Sequence, residues 1–288
     1  MAAAPAGPLT SADLLAADLG PGILAGFTRR SDGGSEGAWA GLNLALHVGD
    51  DPDQVARNRR RVQAWAGVPV AFGRQVHGTT ARLVTDADAG LDLDSRDLDT
   101  SDLAGPSDLA DPSDLADPSD LADPSGQAGS GCDALVTTSR GVAVGVLVAD
   151  CVPVLLADPV AGVVGAAHAG RRGLLDGVLQ HAVRAMTAQG AVPGRIAAAL
   201  GPSAGGCCYE VPQELQDEAC AVLPQLRSRT TWGTPSLDLR AGCRSVLERL
   251  GLAGVALLGG CTIEDEAGFS YRQAAVTGRF AGVVRLLP

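Results

Sequence analysis

Lysine is absent from the 288 residues, so all 22 basic side chains are arginine. No Schiff-base lysine and no phosphate-loop lysine is available, which excludes two broad mechanistic classes. Histidine occurs four times and methionine twice, so any metal chemistry has few imidazoles to draw on. Aromatic residues make up only 3% of the chain. A core must therefore be assembled from Ala, Val and Leu, with 38 Gly and 17 Pro marking many tight turns. The longest apolar stretch, residues 141–157, is interrupted by Asp150 and Pro153 and is too short to span a bilayer. No basic residue precedes Arg29, so we expect neither a signal peptide nor a membrane role. Seven cysteines, an odd number scattered along a long chain, fit a reduced cytoplasmic protein better than a disulfide framework.

Positive charge is scarce too. The formal net charge is −11, which excludes a nucleic-acid binder that relies on a basic face. The acidity is concentrated. Residues 92–128 hold 11 Asp and one Arg, a net charge of −10, which leaves the remainder of the chain close to neutral. Within this tract, residues 101–124 repeat a six-residue unit four times, SDLAGP and then SDLADP. A proline every six residues and dense like charge prevent a packed element, so the tract is expected to be a disordered surface loop. A six-residue solenoid is the weaker alternative, because each unit offers one Leu and proline recurs where ladder hydrogen bonds are needed.

At roughly 100–200 residues per domain, the length allows one large domain or two small ones. The rest of the chain mixes strand-like and helix-like pieces. Strands are expected at 22–28, 70–76, 81–84, 134–138, 142–148, 152–157, 163–167, 196–200 and 255–258, where apolar runs are bounded by Gly, Asp or Pro. Helices are expected at about 51–66, opened by Asp51-Pro52, and at 174–188, 213–223 and 240–250. Consecutive strands followed by a helix, without strict alternation, indicate an α+β fold with mixed sheets and flanking helices. The expected organisation is a flexible N-terminus at 1–20 and one catalytic domain at 21–288, with 92–128 as a loop insertion.

Chemistry-bearing residues cluster at strand ends. His77 lies in Arg74-Gln75-Val76-His77-Gly78-Thr79, Cys151 in Ala149-Asp150-Cys151-Val152-Pro153, and His168 in Ala167-His168-Ala169-Gly170-Arg171-Arg172-Gly173. Two imidazoles and one thiol form the donor set for a zinc ion with an open fourth position. The ligands stand 74 and 17 residues apart, so this is no local finger motif. Spacing alone leaves packed or hydrogen-bonded residues as the competing reading. Asn43 and Gln75 are polar residues at apolar boundaries, able to contact base or sugar or to cap a turn. Arg172, at an expected helix N-terminus, could hold an anion or make a surface ion pair. His47 could support the site or the fold, Tyr209 could line the pocket, and His181 is expected to be exposed. Adjacent Cys207 and Cys208 read as packing residues, since a disulfide between neighbours is strained.

These strings, in order, resemble the laccase-domain family. The match extends to Gly41-Leu42-Asn43-Leu44 with His47-Val48-Gly49-Asp50, to Asp133-Ala134-Leu135-Val136-Thr137, and to Gly201-Pro202 through Cys207-Cys208-Tyr209-Glu210-Val211. It continues with Cys261-Thr262, Phe269-Ser270-Tyr271-Arg272 and Thr277-Gly278-Arg279. Bacterial members of that family have been called multicopper polyphenol oxidases, peptidoglycan-editing factors and purine nucleoside phosphorylases. The resemblance implies a β-sandwich-like core of mixed sheets flanked by helices, with metal held by His77, Cys151 and His168. It also implies phosphorolysis of adenosine, inosine and guanosine, cleavage of methylthioadenosine, and deamination of adenosine. The family usually has Trp where this chain has Arg171.

The implied partners are purine nucleosides and phosphate, with the chain a monomer or small homo-oligomer. Zinc is favoured over copper. A multicopper oxidase consumes many more imidazoles than four, and a blue-copper centre wants an axial ligand such as Met, whereas Met1 and Met186 lie outside every motif. Two other readings stand beside this one: a metal-free hydrolase using Cys151 as nucleophile, and a non-enzymatic cell-wall role in which the acidic tract docks a partner.

Overall fold

Strand formation begins earlier than the sequence suggests. In the computed structural model, which describes residues 9–10, 12–31, 33–89 and 131–288, β1 (Leu14–Ala16) lies within the stretch expected to be flexible and pairs antiparallel with β2 (Ile23–Thr28). The acidic tract at 92–128 lies outside the described residues. Helix α1 (Pro52–Ala66) starts where expected: the Asp51 carboxylate caps Asp53 N, proline occupies the first turn, and Gly67 ends the helix at φ 75°. Strand β3 (Val70–Phe72) is shorter than expected. After it the chain turns at Gly73, where a Cβ would stand 2.5 Å from Cys132 Sγ.

The middle of the chain forms β4 (Ala81–Val84), β5 (Ala134–Thr137), β6 (Ala143–Val148), β7 (Val152–Asp158) and β8 (Val163–Ala169). The helix expected at 174–188 is in fact two, α2 (Arg171–Asp176) and α3 (Val178–Ala188). Gly177 at φ 103° divides them, a conformation that ends one helix and that a β-carbon would disfavour. Then follow β9 (Ala197–Leu200), α4 (Gln213–Val222), the hairpin of β10 (Arg227–Arg229) and β11 (Pro235–Leu237), α5 (Leu239–Arg249), β12 (Gly254–Leu257) and β13 (Phe280–Leu286).

Two mixed sheets face each other, in the α+β arrangement that was expected. One has the order β1-β2-β13-β6-β3 and the other β12-β9-β7-β8-β5-β4. Side-chain alternation along the strands builds the layers. From β7, Leu155 and Ala157 point into the space between the sheets, where they meet Phe27, Val144 and Val146. Val152, Val154 and Leu156 point the other way, onto Leu179, Val183 and Met186 of α3 and Val246 of α5. On the outer face of the first sheet, Ala143, Leu147 and Val283 pack against Val62 and Ala66 of α1. Sheets covered on both faces explain why the central strands read as continuous apolar runs. No helix among the described residues is long and apolar enough to cross a membrane.

Phe27 fills the space between the sheets and is fully buried. A Cβ on Gly201 would approach its ring to 2.5 Å and one on Gly282 to 3.0 Å, so the two glycines and the ring are a matched set. Replacing Phe27 with Ala should cost about 3–5 kcal/mol of stability, read as a lowered denaturation midpoint in urea. A loss below about 1 kcal/mol would mean that the intersheet space collapses freely around the deletion.

Candidate metal centre

Register brings the distant residues together. In the antiparallel pair β7–β8, Val152 stands opposite Ala169 and Pro153 opposite His168. Cys151, immediately before β7, is thereby delivered to the end of β8 that carries His168. In the pair β5–β8, Ala134 stands opposite Ala167. Asp133 therefore lies beside His168, whose backbone N–H donates to the Asp133 carbonyl at 2.7 Å. The loop after β3 is drawn in by the Asp133 side chain. Its carboxylate accepts from the backbone N–H groups of Val76 at 3.1 Å, His77 at 3.0 Å and Gly78 at 2.8 Å.

The donor atoms of His77, Cys151 and His168 lie within 4.8 Å of one another. Cys151 Sγ is 3.8 Å from His77 Nε2, and the two imidazole rings are 4.9 Å apart, inclined at 68°. His168 Nδ1 is hydrogen-bonded to Asp133 Oδ1 at 2.8 Å, which leaves Nε2 as the ligand atom. This is the carboxylate–histidine arrangement that orients metal-binding imidazoles. A Cβ on Gly170 would stand 2.8 Å from His77 Cδ2 and 3.1 Å from Cys151 Sγ, so glycine keeps the cradle open. His168 is buried and His77 exposed. A site closed on the sheet side and open on the other is the form of a catalytic zinc site rather than a structural one. The residues thus fit a divalent ion of zinc type.

His77 (φ 60°) and Asp150 (φ 84°) are the only non-glycine residues with positive φ among the described residues. Both border the centre, a place where strained backbone needs support from its surroundings. Asp150 receives that support through its carboxylate, which accepts from Thr262 Oγ1 at 2.6 Å and from Arg272 N at 2.8 Å.

Electrostatics couple the three groups. Burial pushes the Cys151 thiol up, but the charge and hydrogen bonds of His168, with those of His77, outweigh it and bring the thiol down to about 6. Burial lowers the His168 pKa, and the Cys151 thiolate and the Asp133 carboxylate reverse this, raising it to about 10. Burial likewise penalises the Asp133 carboxylate, while His168 and the amides of Gly78 and Val76 hold it below its ordinary value. In the metal-free protein the centre is a thiolate–imidazolium–carboxylate chain.

Other residues singled out from the sequence have different fates. Asn43 is buried and gives its side-chain amide wholly to the fold: it donates to Ala45 O and Asp50 Oδ2 and accepts from Ala45 N and Arg279 N. Gln75 forms a reciprocal pair with the backbone of Leu147, 2.7 Å in each direction. The polar atoms of both side chains thus organise loops. Arg172 is exposed in the first turn of α2, and its neighbour Arg171 is half-buried. The charges of Arg171, Arg272 and Cys151 all act on the Tyr209 hydroxyl, whose pKa burial raises. The Arg272 guanidinium lies 4.5 Å from the Tyr209 ring centre. His47 is exposed, and His181, half-buried rather than exposed, hydrogen-bonds to Gly177 O through Nδ1. Sequence reasoning missed the role of Asp133. Its one signal was a lone carboxylate directly preceding the buried strand Ala134–Thr137.

Two measurements test this geometry. In metal-free protein, alkylation of Cys151 by iodoacetamide should follow a midpoint near 6. The reactive thiolate is present above that pH and lost below it, and a midpoint near 9 would contradict the ion pair. Asp133→Asn should lower metal affinity by about 10–100-fold, measured by competition with a chelator. Unchanged affinity would show that His168 needs no orienting partner.

Comparison with known proteins agrees with this architecture. Residues 24–287 match the family model described as multi-copper polyphenol oxidoreductase laccase. A Streptomyces coelicolor protein named purine nucleoside phosphorylase SCO2081 is 43% identical over 264 residues, covering 91% of this chain and 94% of its own. A Corynebacterium glutamicum protein with the same activity in its name is 41% identical over 263 residues, covering 90% and 93%. Among solved structures, Neisseria meningitidis NMB0706 superposes with a TM-score of 0.76 at 33% identity, covering 96% of this chain and all of that one. YlmD from Geobacillus stearothermophilus gives 0.75 at 32% identity and 93% coverage of both. A match over nearly the whole length, joined to a two-sheet core with His77, Cys151 and His168 at its rim, makes this chain a member of the multi-copper polyphenol oxidoreductase laccase family.

Proposed function

We propose that this enzyme cleaves purine nucleosides by phosphorolysis, with a zinc ion held by His77 Nε2, Cys151 Sγ and His168 Nε2. The observation that carries the reading is the open donor set of these three residues, joined by Tyr209, which stacks under Arg272 and feels the charges of Cys151 and Arg171. Relatives at 41–43% identity over about nine-tenths of the chain bear the name purine nucleoside phosphorylase. When bound, the ion supplies concentrated positive charge that stabilises developing negative charge on substrate.

The rest of the chemistry falls to the chain itself. Phosphorolysis forms a bond from a phosphate oxygen to the ribose C1′ and breaks the bond from C1′ to the purine nitrogen. The bonding pair leaves with the base, which then takes a proton. Phosphate needs guanidinium groups that can present paired donors. Arg171 and Arg272 reach the site electrostatically through Tyr209, and Arg172 extends the positive edge to the solvent side of α2. The Tyr209 ring offers a flat apolar face for a purine. Asp133 keeps a proton on His168 Nδ1 and so fixes which nitrogen faces the substrate.

Adenosine deamination belongs to the same reading: water adds at purine C6, the amino group leaves as ammonia, and inosine is formed with its glycosidic bond intact. The seven cysteines are all free, which supports a cytoplasmic setting. Polyphenol oxidation by a copper cluster is disfavoured by ligand supply. Of four histidines, His47 and His181 lie outside the metal centre, too few imidazoles for a mononuclear site plus a trinuclear one.

One observation favours a second reading. Cys151, His168 and Asp133 form a nucleophile, base and orienting carboxylate in sequence, the constellation of a metal-free cysteine hydrolase. Metal-replete enzyme incubated with adenosine or inosine, with and without phosphate, separates the two. Phosphate-dependent release of free base is expected, to be lost on chelation and lowered by at least about a hundredfold in His77→Ala, Cys151→Ala and His168→Ala. Arg171→Ala should raise the KM for phosphate more than it lowers kcat. Full activity in chelated protein that does not depend on phosphate would remove the phosphorylase reading in favour of the hydrolase.

A further inference from the structure

A second group of soft ligands stands outside the centre just described. Cys207, Cys208, Cys261 and Glu264 place three sulfurs and a carboxylate oxygen within 4.8 Å of one another. Cys208 Sγ is 3.2 Å from Cys207 Sγ, and Cys207 Sγ is 3.4 Å from Glu264 Oε2. Both vicinal thiols also face Cys261. Zinc–sulfur bonds of about 2.3 Å put the ligands of a tetrahedral site about 3.8 Å apart. The Cys207–Cys208 and Cys207–Glu264 separations fall a few tenths of an ångström below that value and the others lie within 4.8 Å, so a small adjustment of side chains would close the shell.

The backbone is shaped around these sulfurs. A Cβ on Gly205 would lie 3.0 Å from Cys207 Sγ, 3.2 Å from Cys261 Cβ and 3.4 Å from Cys261 Sγ. Gly205 N donates to Cys261 Sγ at 3.2 Å. The two segments that carry the ligands are joined directly: Ser203 N donates to Gly260 O at 3.4 Å and Thr262 N to Ser203 O at 3.0 Å. Cys208 is buried, Cys207 and Cys261 are half-buried, and Glu264 is exposed. Ligands thus approach from the interior and from the solvent edge, which gives an ion both a cage and an entry path.

We propose that Cys207, Cys208, Cys261 and Glu264 form a second metal site, for a thiophilic divalent cation of zinc type, distinct from the site at His77, Cys151 and His168. Three sulfur ligands and one oxygen select a soft, tetrahedral ion over magnesium or calcium. Coordination releases the thiol protons to solvent and involves no change of oxidation state. The bound ion ties together the two segments that hold Asp150. Ala204 N donates to Asp150 O at 2.9 Å and Thr262 Oγ1 to its carboxylate at 2.6 Å. The second site thereby braces the strained residue next to Cys151.

Full-length reduced protein, stripped of metal and titrated with Zn2+ and then with Co2+, tests the proposal. Wild type should take up two equivalents. Cys207→Ser combined with Cys261→Ser should take up one, and so should His77→Ala combined with His168→Ala. The latter variant should keep the more intense thiolate-to-cobalt absorption, because its remaining site holds three sulfurs. Glu264→Gln keeps all three thiols and should weaken the second equivalent about tenfold, which covers the case in which the double serine variant does not fold. Zinc should also protect Cys207, Cys208 and Cys261 of wild type from iodoacetamide, as mapped on peptides. A single equivalent in wild type, two equivalents in the double serine variant, equal alkylation with and without zinc, or a disulfide among the three sulfurs in the isolated protein would each overturn it.

Discussion

The Asp133 carboxylate is the fixed point of this molecule's chemistry. It is fully buried, and a buried carboxylate is tolerated only when its charge is matched by donors. Here the donors are three consecutive amides of the 76–78 loop and the His168 ring. One side chain therefore converts a strand-to-strand register into a donor set that could hold a metal ion. It holds the loop that carries His77 against the end of β8 and sets the tautomer of His168. Without it, the His77 loop would lose the acceptor for three consecutive amides, and His168 would be free to rotate. The interaction is local, but it joins three pieces of chain that are otherwise far apart in sequence.

Strain is the counterpart of that anchoring. His77 and Asp150 both sit at positive φ, where a side chain costs of order 1–3 kcal/mol. Each is held by hydrogen bonds from outside its own segment: His77 by Asp133, and Asp150 by Thr262 and Arg272. The positions of the two are related. Asp150 turns the chain so that Cys151 enters β7 facing the cavity, and His77 turns its loop so that Nε2 approaches the Cys151 sulfur. Gly170 completes the fit by leaving out the one carbon that would collide with both His77 and Cys151.

Much of this was readable from the residues. Asp51-Pro52 opened α1 as expected, and apolar runs bounded by Gly, Asp or Pro marked the central strands, because sheets buried on both faces need no polar alternation. What escaped notice has physical reasons. β13 contains Gly282 and Arg285, which interrupt an apolar pattern. The glycine is there to admit the Phe27 ring, and the buried Arg285 guanidinium donates to the carbonyls of Ala66, Leu286 and Arg140. The split between α2 and α3 turns on the single backbone conformation of Gly177, which periodicity does not register. Spacing alone left the His77, Cys151 and His168 grouping open, since only strand register brings them together, and it was the ordered motifs that singled them out. Asn43 and Gln75 satisfy backbone groups, the turn-capping alternative that their position at an apolar boundary also allowed.

The proton inventory links the two chemical readings of the centre. Without metal, the thiolate of Cys151 faces a His168 that carries protons on both nitrogens, with Asp133 behind it. These three groups together hold one net negative charge. Exchange of the His168 Nε2 proton for a divalent cation brings the same groups to neutrality, while the Nδ1 proton stays on the His168 ring, donated to Asp133. A neutral cluster no longer repels an incoming anion, and Arg171 and Arg272 then dominate the local field. The metal-free arrangement, by contrast, presents a bare thiolate that would oppose phosphate and favour an electrophilic carbonyl. The same side chains thus fit phosphorolysis in one protonation state and nucleophilic hydrolysis in the other, and in the proposed reading what occupies Nε2 of His168 decides between them.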